Sequence, residues 1–160
     1  MTRMPSDVCV HVGEYVFNYR VAGIVLHAGH VLTCRFEGES WCFLPGGRVA
    51  AGEASPDALR REFLEEVGLE VQVGRPAFFT ENFFTLDGQA FHEVATYFLV
   101  ELPGGALPGA HAVEEAGRTL HFEWVPLHDV EHTNLQPALL RRRLLALPDH
   151  PEHVVFHEPA

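Results

Sequence analysis

The chain has 160 residues, 47% apolar and 21% charged, with a formal net charge of −11 at pH 7. That length can bury a real core within one domain, and the apolar share is that of a globular protein rather than a disordered one. The acidic balance speaks against a polymeric nucleic acid as partner, because phosphate contacts need a basic face; a small polyphosphate stays compatible where a cation bridges the two.

Taken in order, residues 1–7 read as a loose end and 8–12 as a short edge strand. The start, MTRMPSDVCV, has no apolar core of a signal peptide, and no run approaches the roughly 18 apolar residues of a membrane span. Residues 14–26 are rich in β-branched and aromatic side chains, and 21–26 are almost continuously apolar, as in a strand buried on both faces. His27-Ala28-Gly29-His30 is a turn, and 31–36 the return strand of a hairpin. A short strand at 41–44 leads into Pro45-Gly46-Gly47, where glycine lets the backbone turn sharply and come close to a ligand. Arg35 and Arg48 flank this turn as candidate phosphate contacts, and each is equally a surface charge; Arg20 is a lesser candidate of the same kind.

The most informative stretch runs from Gly47 to Leu69, GRVAAGEASPDALRREFLEEVGL. Ser55 is placed to cap a helix, Pro56 suits its first position, Asp57 favours the positive end of its dipole, and Gly68 suits its end. The spacing predicts a helix over 56–67. Leu59, Phe63 and Val67 form its buried stripe, and Glu62, Glu65 and Glu66 share another face. Three carboxylates gathered this way repel. They are either a solvated acidic face or, with a hard cation, a ligand set, since Mg²⁺ prefers oxygen donors and binds through carboxylates plus substrate phosphates. Arg61 lies four residues before Glu65 and can hold the carboxylates in place.

The spacing Gly47-x5-Glu53-x7-Arg61-Glu62-Phe63-x-Glu65-Glu66-x-Gly68-Leu69 matches the Nudix box, G-x5-E-x7-R-E-U-x-E-E-x-G-U, at all seven fixed identities. Chance produces this at a given start on the order of once in 10^8. The sequence therefore resembles the Nudix hydrolases, with high specificity over 41–69 and low specificity over 17–127. Phe63 departs mildly, being aromatic where the family is usually aliphatic. The W-x-x-L-P-G-G lead-in from Trp41 to Gly47 is also common in the family.

Downstream, 69–73 reads as a strand broken by Gly74-Arg75-Pro76, and 77–84 as another. Asp87-Gly88 is a hairpin turn, and 91–102 suits a long central strand. Glu81 to Phe84 and His92-Glu93 lie at similar distances from that turn and are expected to face each other. Of Phe83 and Phe84, one is expected in the core, while the other is open to stacking on a nucleobase; Glu93 is a candidate neighbour of the metals. Residues 103–118 read as a long loop carrying Glu114 and Glu115, either a source of one more carboxylate or a solvated pair. Residues 119–125 form the last clear strand. A final helix is expected over 135–146, capped by Thr133 or Asn134, with Arg141-Arg142-Arg143 on a solvated face and a loose tail from Pro148. Cys9, Cys34 and Cys42 read as reduced core thiols of a cytoplasmic protein, and the 11 scattered histidines as surface residues rather than zinc ligands.

The resemblance implies an α/β fold, an α/β/α sandwich with a mixed sheet, across one domain spanning 1–160. It implies Mg²⁺, with Mn²⁺ as the alternative, held by Glu62, Glu65, Glu66 and the Gly47 carbonyl, with Glu53 orienting the loop and Arg61. The implied reaction is hydrolysis of a phosphoanhydride in a nucleoside diphosphate linked to another group. Glu62, Glu66, Glu93 and Glu114 or Glu115 are candidate proton acceptors, and Arg35, Arg48, Phe83, Glu93 and Glu115 candidate substrate contacts. The family's markers for ADP-ribose, dinucleoside polyphosphates, NADH and coenzyme A are absent or partial, which leans the substrate to nucleoside triphosphates, oxidised ones included. ADP-ribose or nucleotide-sugar hydrolysis, a non-hydrolytic nucleotide sensor and an isopentenyl diphosphate isomerase remain alternatives; the intact box disfavours the last two. A homodimer is compatible with the sequence, and no membrane partner is expected.

Overall fold

A computed structural model describes residues 6–105, 109 and 111–159. The strands are β1 (Cys9–Val12), β2 (Tyr15–Ile24), β3 (Leu26–His27), β4 (His30–Phe36), β5 (Gly46–Arg48), β6 (Gln72–Leu86), β7 (Gln89–Glu101), β8 (His111–Glu115), β9 (Arg118–Pro126) and β10 (Glu152–His157). Helix α1 (Ser55–Glu66) lies between β5 and β6, and the single turn α2 (Leu140–Arg143) between β9 and β10. The larger sheet has the order β1-β2-β7-β6-β10, with β5 paired to β2. It is mixed: β2·β7 and β6·β10 are parallel, the other pairs antiparallel. The smaller sheet, β3-β4-β9-β8, is antiparallel.

Alternation along the strands gives the larger sheet a different core on each face. Val21, Phe98 and Val100 pack with Ala58, Leu59 and Phe63 of α1 and with Leu32, Leu120 and Phe122 of the smaller sheet. Ala22, Ile24, Ala95 and Tyr97 pack on the opposite side with Leu135, Leu139, Leu140 and Leu144. The mixed sheet thus lies between α1 and the α2 region, the expected α/β/α arrangement. Gly23 sits where α1 approaches the strand: a Cβ there would stand 2.8 Å from the Phe63 ring. Among the described residues no helix is long and apolar enough to cross a membrane.

Several boundaries differ from expectation. The residue capping α1 is Ala54, with no side-chain cap, so Ser55 is already helical. Gly68, at φ +75°, ends the helix, and the Val67 and Gly68 N–H groups both donate to the Phe63 carbonyl. Leu26 is 39% exposed, because the chain leaves the larger sheet there. Strand β4 pairs with β3 over only two residues and otherwise with β9. Residues 41–44 form isolated bridges through Cys42 and Phe43 rather than a strand.

Residues 69–73 and 77–84 are not two strands. Strand β6 passes through Pro76, and register shifts on either side absorb the missing N–H. The expected loop at 103–118 contains β8; residues 106–108 and 110 lie outside the described residues. The final helix shrinks to α2: the residue before Pro137 is disfavoured from the helical region, so the helix cannot begin at 135, yet the leucines are buried as expected. Its arginines are bonded: Arg141 to the Leu135 carbonyl, Arg142 to Glu131, Arg143 to Glu152. The tail is ordered as β10, alongside β6. At the other end, residues 1–5 lie outside the described residues, while Ser6 accepts from the Ala51 N–H and Asp7 bridges to Ala50.

Candidate metal centre and active site

Helical spacing places Glu62 and Glu66 one turn apart on α1, where both are buried, at 8% and 6% exposure. The β8·β9 hairpin brings Glu115 to them, so one carboxylate oxygen of each residue lies within 4.8 Å of the others. At that separation two ionised carboxylates repel by about 3 kcal/mol at an effective dielectric constant near 20. Glu66 is accordingly pushed up to about 10, first by burial, then by Glu115 and Glu62. Glu62 is also raised by burial, although Arg61 pulls the other way. Three converging oxygen donors, two buried and one half-buried, with Arg61 reaching only Glu62, fit a hard divalent ion.

The glycines fix the opposite wall. A Cβ on Gly47 would collide with the Glu62 carboxyl group, so only glycine lets this backbone lie against that side chain. A Cβ on Gly46 would run into the Val21 carbonyl of the paired strand. Arg61 ties loop and helix together. Its Nε donates to Glu53 at 2.9 Å, Nη2 to Glu53 and to the Arg48 carbonyl at 3.1 Å, and Nη1 to Glu62 at 2.9 Å. Glu53 also accepts from the Ala50 N–H at 3.1 Å. That Arg61 contact holds the Glu53 carboxyl below its usual range, and the same contact raises the guanidinium.

The other candidates are scattered. Glu65 lies outside the trio, exposed and paired with Arg61 at 3.4 Å. Glu114 accepts from the Thr119 hydroxyl at 2.8 Å. Glu93 is buried on the sheet face away from α1, accepting from Asn18 at 2.7 Å, so it is not a neighbour of the trio. Asn82, Phe83 and Phe84 do face Glu93, His92 and Phe91 across the hairpin, as expected. Neither phenylalanine belongs to the core. Phe83 is stacked on His157 at 4.6 Å and tilted against His92 at 4.4 Å, and Phe84 stacks on Phe91 at 5.0 Å. Arg35 pairs with Glu123 at 3.6 Å and lines a cavity of about 540 Å³ on the smaller sheet. Arg48 donates through Nε to Asn18 at 2.8 Å. Sequence reasoning missed Asn18; its signal is a lone amide in an apolar strand.

The NUDIX domain family profile matches residues 17–146. No curated protein matches the chain. Among solved structures, the fold is similar to the Escherichia coli ORF135 protein, 22% identical at TM-score 0.56, covering 86% of this chain and 94% of that one. The Bacillus halodurans MutT protein is 18% identical at TM-score 0.59, covering 88% and 89%. An ADP-ribose pyrophosphatase from Streptococcus suis is 16% identical at TM-score 0.58, covering 87% and 98%. At these identities the likeness is one of fold.

Proposed function

The chain belongs to the NUDIX family of hydrolases, and from that premise we propose that it hydrolyses a phosphoanhydride bond of a nucleoside diphosphate linked to a further group, with a nucleoside triphosphate, plain or oxidised, as substrate. The observation that carries this reading is the Glu62–Glu66–Glu115 trio, with Glu62 and Glu66 buried, against Gly47. These three residues would hold Mg²⁺ or Mn²⁺, with Glu65 and the Gly47 carbonyl as the further ligands expected from the box. A cation there supplies Lewis acidity and cancels diphosphate charge.

The chain's own residues do the rest. Arg61, fixed by Glu53, holds the Glu62 carboxylate and the loop at Arg48 in one geometry. Water attacks phosphorus, its proton passes to a carboxylate of the trio, and the anhydride P–O bond breaks with its electron pair leaving on the departing phosphate. Three unpaired thiols support a reducing, cytoplasmic setting, and the protein acts as one domain on a small nucleotide, as a monomer or homodimer.

The lean to triphosphates rests on the absent or partial sequence markers for the other substrates, and ADP-ribose is the second reading, as one structure of similar fold is an ADP-ribose pyrophosphatase. The test is phosphate and pyrophosphate release with Mg²⁺ from nucleoside triphosphates, 8-oxo-dGTP, ADP-ribose, nucleotide sugars, dinucleoside polyphosphates and coenzyme A, beside Glu66→Gln. One substrate turned over far faster than the rest, and lost in the variant, is the expected result. Binding of a nucleotide without turnover would replace the hydrolase by a sensor.

A further inference from the structure

The turn that joins β8 to β9 sets up a competition for Glu115. Ala116 and Gly117, at φ +49° and +77°, make a two-residue hairpin loop, and Glu115 and Arg118 stand directly opposite each other at its base. Paired residues project from the same face of a sheet with Cβ atoms about 5 Å apart, and opposite charges so placed attract. A guanidinium resting on Glu115 would tie up the carboxylate that completes the trio.

Arg118 is drawn the other way. Among the described residues it forms its ion pair with Glu39, not with Glu115: Nη2 donates to Glu39 Oε1 at 2.9 Å, and the guanidinium lies 4.3 Å from the centre of the Phe36 ring. Glu39 is itself fixed. Its second oxygen, Oε2, accepts from Trp41 Nε1 at 3.1 Å, so each oxygen of the carboxylate has its own donor. Trp41 packs on Phe43, and Phe43 on Phe36, at 5.5 and 5.7 Å. The Glu37 N–H donates to the Thr119 carbonyl at 2.8 Å, which keeps this turn beside the start of β9. The Arg118 and Glu39 side chains are 47% and 37% exposed, so their pair adds little to folding. What it sets is the direction of a long cation that has two carboxylates within reach.

We propose that Glu39 is a positioning residue for the metal centre: together with the Phe36 ring it holds Arg118 away from Glu115, so that Glu115 offers its charge to the cation rather than to its strand partner. This rests on the reading of the trio as a metal centre.

Calorimetric titration with Mn²⁺ alone, without nucleotide, tests it. Glu39→Ala releases Arg118 onto Glu115 and should weaken Mn²⁺ binding by about fivefold, the effect of one competing ion pair. Arg118→Ala should bind within about twofold of wild type. The double variant should also return to within about twofold of wild type, because the competitor is gone. A second substitution that restores affinity is a result that a merely structural role for Glu39 does not produce. In a Glu115→Gln background, Glu39→Ala should cost nothing further. Glu37 faces His121 at 3.6 Å, so Glu37→Ala removes a neighbouring charge without touching Arg118 and should stay within about twofold. Glu39→Gln, which keeps the bulk and loses the charge, serves if the alanine variant melts early, and should show the same order of affinities. Glu39→Ala that binds like wild type, a double variant as weak as Glu39→Ala, or an equal loss in Glu37→Ala would each overturn the proposal and leave the trio standing. Wild type that binds no Mn²⁺ would overturn the trio as a metal centre, and the proposal with it.

Discussion

Burial makes the charged form of Glu66 costly, and Glu115 and Glu62 add to that cost, so without a cation this side chain keeps its proton up to about pH 10. A folded-state pKa raised above the unfolded value gives stability that is complete below the unfolded carboxyl pKa and is lost as pH rises toward the folded one. Metal-free protein should therefore weaken as pH climbs from about 5 to 9. Glu66→Gln removes the group responsible. In EDTA at pH 9 it should melt above wild type by a few degrees, roughly 1–2 kcal/mol for a chain of this size, while turnover falls by about 100-fold or more. A variant that melts lower, or keeps near-normal turnover, would contradict the trio's role. The same proton must leave when a cation binds. Calorimetry of Mg²⁺ binding at pH 7 in buffers of different ionisation enthalpy should register release of about one proton, with affinity rising about tenfold per pH unit. No released proton would mean the trio is already ionised.

At the scale of the element, loop and helix α1 are one unit, joined by Arg61. The two glycines before it are constrained by different neighbours, which separates their variants. Gly46→Ala drives a methyl group into the Val21 backbone, which cannot step aside, and should cost several kcal/mol, read as a melting point lowered by about 10 °C. Gly47→Ala meets the Glu62 side chain, which can rotate. That variant should fold and lose its activity; equal stability losses for both would refute the distinction. Glu53, held below its usual range by Arg61, contributes stability that is present above about pH 4.5 and lost on acidification. Glu53→Gln should cost about 1–2 kcal/mol in denaturant melts at neutral pH and reduce kcat, because Arg61 would no longer be fixed in the plane that serves Glu62.

Across the whole molecule, the last strand closes what the others begin. Strand β10 covers the edge of β6, buries Val154 in the core around α2, and is continued by the Glu158 N–H donating to the Phe83 carbonyl. Removing 152–160 should cost about 3–5 kcal/mol, from the lost apolar burial and an uncovered strand edge, and the truncated protein should melt roughly 10 °C lower. An unchanged melting curve would make the strand dispensable.

Helix α1, the Asp87-Gly88 hairpin and the strong strands are legible in the sequence because their signals are local: 3.6-residue and two-residue periodicities, and glycine where φ must be positive. The Glu62–Glu66 pair is legible for the same reason. What the sequence does not mark is which carboxylate completes it. Glu115 and Glu114 are equivalent as letters, and only the register of β8 on β9 turns one toward the trio and the other toward Thr119. Strand β10 was hidden because an edge strand buries one side chain well and exposes most of the rest, leaving little alternation to read. Pro76 shows a limit of local reading: proline reads as a strand breaker, yet a bulge absorbs it within β6. Asn18 is the extreme case, a single amide whose meaning lies in Glu93 and Arg48, 75 and 30 residues away. The sequence by itself determined which carboxylates share a face of α1, since helical spacing follows from residue order; tertiary structure alone decided which distant side chains join them, because strand pairing sets those distances.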